Sequence, residues 1–416
     1  MILVSSPRQR PGACQIKQDS GLLPAGRRGR CNDYFFVVPG SWRLLTAFLL
    51  AVSPALAGCA GPAGPVPAQQ VKARKAPADF ELAPGSAPWG GCAVSAGGAS
   101  SLIAAALHDR NAAGFWEVEA DTVRPINEAF EVGYHPDSVA ACDPDTFAVA
   151  VEGAGKILFL RPGRAGVSRI AEIKTPFPTR DLLCPDLDGD GTRDLVLAPY
   201  SGAKIAILWG EGGYAFAQPQ FLEAAPTPWH PRLVDWNQDG LSDLIWADWD
   251  TGSVRLYENQ GDRRFELRML QPPNPLKPRQ LGVGDIDLDG RPDAVMALEV
   301  GKAARILYNR GEGRPVGIED VPAPTWGYVS AEVMRDGTLA LGEEGRVLLA
   351  RKIDGKWRFR ELAAGSLPSP IILSDLNHDG NEDLIVFNSA GDGVSVHFGP
   401  LWEKAVPIEL SGKDPQ

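Results

Sequence analysis

An all-β fold, a seven-bladed β-propeller of four-stranded antiparallel blades, is predicted by three observations. Four segments repeat one acidic pattern: DLDGDGTRDLVLA from Asp186, DWNQDGLSDLIWA from Asp235, DIDLDGRPDAVMA from Asp285 and DLNHDGNEDLIVF from Asp375. Their shared glycines, Gly191, Gly240, Gly290 and Gly380, lie 49, 50 and 90 residues apart, the last gap being about two periods. The chain carries 46 Gly and 36 Pro in 416 residues, a composition of many turns and short strands. No helical run of ten residues separates the strand patterns, which sets aside a parallel βαβ chain.

The first element is a leader. Residues 44–57, LLTAFLLAVSPALA, are too short to span a bilayer comfortably, and with Arg43 before them and small residues at their end they fit a secretory h-region. The tetrad Leu56-Ala57-Gly58-Cys59 resembles the lipobox of bacterial lipoproteins, in which the cysteine is diacylated and becomes the mature N-terminus. The alternative is an ordinary cleaved signal peptide and a soluble secreted product. Residues 1–40 lack a signal n-region and point to a mis-called start, so the leader is taken as 1–58. A Gly/Pro/Ala linker follows over 59–78. By the same resemblance, Ala60 after the cysteine implies retention at the outer membrane of a Gram-negative host.

The propeller is expected over 79–412, with a tail at 413–416. Each unit reads as a short apolar strand, the acidic turn, a Leu/Ile/Val strand, a Gly turn, and two further strands. Examples of the later strands are Val254-Arg255-Leu256-Tyr257, Ile306-Leu307-Tyr308 and Phe265-Glu266-Leu267. Four short antiparallel strands per 40–50 residues are the signature of a propeller blade. The missing copy in the 90-residue gap is Met334-Arg335-Asp336-Gly337-Thr338, which keeps the turn and loses the acids. Upstream, Cys142-Asp143-Pro144-Asp145-Thr146 and Ser95-Ala96-Gly97-Gly98-Ala99-Ser100 precede similar strands, giving seven units between Cys92 and Leu410. Stacked blades bury both faces of each sheet, so the second strands carry no polar face. Two segments compete to complete blade seven: Lys404–Leu410 and Asp79-Phe80-Glu81-Leu82.

Composition narrows function. A net charge of −11 disfavours broad phosphate-neutralising contact with nucleic acid. Residues 1–58 hold seven Lys/Arg and two Asp, so their removal takes the charge to −16. The shared pattern D-x-[DN]-x-D-G-x-x-D sets three side-chain oxygens on alternate residues, a glycine at the bend and a carboxylate three residues later. Hard oxygen ligands in a flexible loop, without His or Cys, favour calcium over zinc, iron or magnesium. Without a cation these carboxylates repel one another. An EF-hand needs Glu at position twelve, which is here Leu197, Trp246, Met296 and Val386. The competing reading is that Asp/Asn/Gly turns are good hairpin chemistry.

These residues, together with the strand and turn Asp194-Leu195-Val196-Leu197-Ala198-Pro199-Tyr200-Ser201-Gly202, resemble the FG-GAP/VCBS repeats of integrin α-subunit propellers and many bacterial surface proteins. The resemblance covers nearly all of residues 92–410. It implies that calcium takes the side chains at positions one, three, five and nine and the carbonyl at seven. The first site is then Asp186, Asp188, Asp190, Asp194 and the Thr192 carbonyl, and the second Asp235, Asn237, Asp239, Asp243 and the Leu241 carbonyl. The third is Asp285, Asp287, Asp289, Asp293 and the Arg291 carbonyl, and the fourth Asp375, Asn377, Asp379, Asp383 and the Asn381 carbonyl. Blades one, two and six depart from the pattern. About four structural Ca²⁺ ions would take the mature charge from −16 to −8.

No G-x-S-x-G, P-loop, G-x-G-x-x-G or H-E-x-x-H occurs, and the five histidines are scattered. The candidate ligand face is the set of blade-to-blade connections, which the resemblance places opposite the calcium turns. It carries Arg180, Trp229, Arg232, Arg279, Trp326 and Tyr328, with three arginines read as equivalent in consecutive blades. Such a ring suits an anionic sugar or a peptide carboxylate, and the competing reading is inter-blade packing with solvated charges. Trp229, Trp236, Trp246 and Trp249 read as inter-blade packing, except that Trp236, next to a metal ligand, is expected to be exposed. Six cysteines include no C-x-x-C pair. Cys92, Cys142 and Cys184 fall in first strands, so one disulfide, such as Cys142–Cys184, is open after export, as are buried free thiols.

The expectation is a lipid-anchored, calcium-stabilised envelope propeller acting as a non-catalytic binding or scaffolding module, with an unknown protein or glycan partner. Alternatives are an envelope polysaccharide lyase or hydrolase, with Asp137, His135 and Arg232 as the cluster to test, and an outer-membrane assembly factor.

Overall fold

Runs of Leu, Ile and Val between Gly, Pro and Asp turns fold as short strands, and the computed structural model describes residues 76–311, 315–324 and 327–408. Cys59, the leader and nearly all of the linker lie outside them. Among the described residues seven sheets form blades built on four antiparallel strands, one completed by a segment borrowed at the closure and one extended by a fifth strand, and a small two-stranded sheet stands beside them. Blade four is representative: Pro228–Val234, Asp243–Asp248, Val254–Asn259 and Phe265–Gln271. The other first strands are Pro88–Gly97, Pro136–Asp143, Thr179–Leu183, Pro278–Gly284, Ser330–Val333 and Pro368–Ser374. Five of the seven begin with proline, which a strand tolerates at its first residue and at an edge. Each first strand packs against the next, and that of blade seven against that of blade one, so they ring a central channel.

The second strands Leu195–Pro199, Asp243–Asp248, Asp293–Leu298 and Asp383–Asn388 are buried at every residue, as predicted for sheets covered on both faces. The core is divided accordingly: one apolar cluster fills each of the seven interfaces between neighbouring blades. Phe115, for example, meets Phe147 edge-on at 5.4 Å between blades one and two.

Ring closure is decided by the N-terminal candidate. Phe80–Leu82 pairs antiparallel with Gly393–His397 as the outer strand of blade seven. Phe80 meets Phe398 edge-on at 5.9 Å, and Leu82 is buried. The short helix Leu401–Lys404 then carries the chain away, and Val406–Ile408 becomes a fifth strand on Lys356–Ala363 of blade six. Cys142 and Cys184 are joined as a disulfide between blades two and three. Cys184 lies just beyond its strand rather than in it. Cys92 stays a free thiol, pushed up to about 12 by burial.

Candidate metal loops and the opposite face

All four acidic turns fold alike. Position six is Gly191, Gly240, Gly290 or Gly380 at φ between 86° and 90°, a left-handed bend that glycine adopts without strain. Position one accepts the position-six amide: Gly191 N to Asp186 (3.0 Å), Gly240 N to Asp235 (3.0 Å), Gly290 N to Asp285 (2.7 Å) and Gly380 N to Asp375 (3.0 Å). Position five accepts from position seven: Thr192 N to Asp190 (2.8 Å), Leu241 N to Asp239 (2.8 Å), Arg291 N to Asp289 (3.0 Å) and Asn381 N to Asp379 (2.8 Å). Position three accepts from position five at Asp188, Asn237 and Asn377. These bonds fold the oxygens inward. In the first turn Asp186, Asp188 and Asp194 each bring an oxygen within 4.8 Å of the others, and in the third Asp285, Asp287 and Asp289 do so. The donor set fits a hard cation: Asp186 Oδ1 is buried and has no hydrogen-bond partner.

The position-nine carboxylates are fully buried staples. Asp194 accepts from Leu187 N and Gly210 N, both at 2.8 Å, and Asp243 from Trp236 N (3.0 Å) and Asn259 N (2.7 Å). Asp293 accepts from Ile286 N (3.1 Å) and Asn309 N (2.7 Å), and Asp383 from Leu376 N (2.7 Å) and Gly399 N (2.8 Å). Burial pushes the Asp243, Asp293 and Asp383 carboxyls up to about 6 against these amides. Two asparagines add a clamp between blades: Asn259 Nδ2 donates to Leu187 O (3.0 Å) and Asn309 Nδ2 to Trp236 O (2.9 Å). Arginines reach two of the turns. Arg263 Nε lies 2.6 Å from Asp188, and Arg310 contacts Asp287 and, at 3.0 Å, Asp289. Asn377 Nδ2 donates to Asp121 of blade one (2.7 Å), so a neighbouring blade also contributes a carboxylate beside the fourth turn.

Strand direction puts the blade-to-blade connections, with the loops joining second to third strands, on the other side of the ring. There the Arg180 guanidinium lies 3.7 Å over the Trp229 ring, Trp229 stacks on Trp249 at 5.1 Å, and Lys277 Nζ sits 4.1 Å over Trp249. Each cation has a carboxylate: Arg180 with Asp181 (3.5 Å), Lys277 with Asp250 (3.0 Å), Arg279 with Glu299 (3.4 Å) and Arg232 with Glu332. His230 Nδ1 lies 3.3 Å from Asp181. Across blades one and two, Trp89 stacks on His108 (3.9 Å), and His108 Nε2 lies 3.7 Å from Asp137 Oδ1, a buried oxygen without a hydrogen-bond partner. Burial is the main cause that pushes Asp137 up to about 8 and His108 and His230 down to about 4.

Residues 186–246 and 235–296 each match the FG-GAP-like repeat family. The chain carries FG-GAP-like repeats within a seven-bladed β-propeller. No curated protein matches it. Its fold is similar to that of Kuenenia stuttgartiensis hydrazine synthase (TM-score 0.57, 16% identity, 81% of this chain and 100% of that one). It is also similar to the Pseudomonas aeruginosa periplasmic gluconolactonase PpgL (TM-score 0.54, 18% identity, 74% and 94%). A third is a catalytically inactive virginiamycin B lyase from Staphylococcus aureus with quinupristin (TM-score 0.51, 13% identity, 78% and 97%). At these identities the likeness is one of fold.

The propeller corrects several sequence expectations. Trp236 is 1% exposed: position two of the turn points into the inter-blade core beside Leu281 and Leu298. Leu187, Ile286 and Leu376 are buried at the same position, so its apolar character in all four copies was the readable signal. The three arginines are not equivalent. Thr179, Pro228 and Pro278 share one register, opposite Pro199, Asp248 and Leu298, which aligns Arg180 and Arg279 with Trp229. Arg232 lies deeper, opposite Ile245, and pairs across the channel. Tyr328 is fully buried, its hydroxyl donating to Pro322 O (2.9 Å), and belongs to the core rather than the face. Trp229 is buried with both ring faces covered, which removes it as an open sugar platform. Trp326 lies outside the described residues. Sequence reasoning missed the Asn clamps and Asp121. An Asn sixteen residues after position nine, in two of four repeats, was the signal for the clamps.

Proposed function

We propose that this protein is an exported, lipid-anchored, calcium-stabilised propeller of the cell envelope that acts as a non-catalytic binding or scaffolding module. The observation that carries the calcium reading is the partnerless buried Asp186 Oδ1 among three convergent carboxylates. The ion would be held by the side chains at positions one, three, five and nine with the position-seven carbonyls: Thr192, Leu241, Arg291 and Asn381. When bound, it supplies positive charge that offsets carboxylate repulsion and cross-links the turn. A protein or glycan partner is then taken on the opposite face, where Arg180 and Lys277 lie over the Trp229 and Trp249 rings and Arg279 pairs with Glu299. The paired charges of that face favour a partner of mixed charge over a polyanion.

Metal analysis of the purified full chain, with thermal melts in millimolar calcium and in chelator, tests the first half. About four ions and a large calcium-dependent rise are expected, and no ion with no shift overturns it. A glycan array and an envelope pull-down test the second, with capture lost in Arg279→Ala. A second reading, an envelope enzyme acting on polysaccharide, is favoured by Asp137 Oδ1 and His108 Nε2, 3.7 Å apart at the same mouth. Product release from polysaccharide that disappears in Asp137→Asn would select it.

A further inference from the structure

The central channel is asymmetric. On the side of blades five to seven, side chains satisfy the open inner edges of the first strands. Arg232 Nε donates to Leu281 O (3.1 Å), and Gln280 Nε2 donates to Ile371 O (3.3 Å) and to Glu332 (3.0 Å). Gln280 Oε1 in turn accepts from Ile371 N (3.4 Å). A polar plug of Arg232, Gln280 and Glu332 thus fills that half.

The other half holds a cavity of about 340 Å³. Its walls are the inner edges of Gly90–Ala93, Ser138–Ala141 and Leu182–Pro185, each from a strand that is last in its sheet and has no further strand to pair with. The side chains on these walls are small or apolar, and the polar end is formed by Asp181, His230 and Arg232. A strand edge offers N–H donors and C=O acceptors alternately, and an apolar ligand would leave both unsatisfied. A hydroxyl group donates and accepts at once, so a compact polyol matches such a wall. The volume is at the small end of ligand pockets, on the scale of a single sugar ring rather than a chain. Arg232 is held by Glu332 and Asp181 by Arg180 (3.5 Å), so no uncompensated charge demands an ionic ligand.

We infer that the part of the channel bounded by blades one to four, with Pro370 and Ile372 of blade seven completing its lining, is a binding site for a neutral, monosaccharide-sized polyol. It lies inside the ring, beyond the rim assigned to a macromolecular partner above, and does not depend on that assignment. Saturation-transfer NMR on the full chain, with D-glucose, D-galactose and N-acetylglucosamine as probes, tests it. Ala141→Met narrows the cavity and His230→Gln alters its polar end, and a melt of each variant verifies folding. Transfer to at least one sugar, weakened about tenfold in both folded variants and unchanged in Lys356→Ala, which alters an exposed residue of blade six, is expected. No transfer in the unaltered chain, meaning a channel that holds only water, overturns the site. So does transfer that either folded variant leaves intact.

Discussion

Replacing Asp285 by alanine separates a metal ligand from a turn residue. Asp285 is half-buried and, among the described residues, accepts only from Asp289 N (3.0 Å) and Gly290 N (2.7 Å), both exposed residues. Water replaces those contacts, so the loss without calcium should stay below about 1 kcal/mol. With calcium at about 100 times its dissociation constant, each site contributes about 2.7 kcal/mol through linkage. At about 2.1 cal/mol/K per residue, a ring of this length unfolds with an entropy near 0.7 kcal/mol/K, so losing one site lowers Tm by about 4 °C. Asp285→Ala should therefore melt about 4 to 5 °C below the unaltered chain in calcium and within about 1.5 °C of it in chelator. Asn309→Ala is the control. It breaks a buried clamp to Trp236 O and a bond from Gly311 N (3.1 Å) and should cost about 2 to 3 kcal/mol in both conditions. Scanning calorimetry of both variants, with and without chelator, reads the difference. If Asp285→Ala loses equally in the two conditions, the acidic turn is hairpin chemistry and the ligand assignment falls.

Two further outcomes are expected. Leu82→Ala should destabilise by about 2 to 5 kcal/mol, because Leu82 is buried in the outer strand that completes blade seven. A loss below 0.5 kcal/mol in a denaturant titration would mean that the N-terminal strand does not close the ring. Asp137, raised to about 8 by burial, keeps its proton in the fold over a range where the unfolded chain has released it. It therefore contributes stability at low pH that is lost as pH rises from about 4 towards 8, by up to about 1.4 kcal/mol per unit. Asp137→Asn should remove that slope, so urea midpoints at pH 5 and 7.5 should differ less in the variant than in the unaltered chain. An unchanged difference refutes the buried, protonated carboxyl.

The repeat was legible because it is local. An Asp-rich bend with glycine at position six needs only its own nine residues to fold, and the period of about 50 residues counted the blades. The apolar second strands announced their double burial by lacking alternation. Pairings between distant segments were not legible. Two short apolar segments, one at each end of the propeller, fit the last edge equally well by pattern, and packing of Phe80 on Phe398 decided it. The arginines of the mouth looked equivalent by proximity to proline. Register, set by pairing with the second strands, put Arg232 three residues deeper and gave it Glu332, 100 residues away, as partner.

The sequence by itself determined the all-β architecture, the blade number and the acidic turns, since each follows from spacing along a few consecutive residues. Tertiary structure decided which of those carboxylates are buried staples, which oxygen is left without a partner, how the ring closes and where the channel stays open. Those properties depend on desolvation and on contacts between residues tens to hundreds of positions apart, which no local pattern encodes.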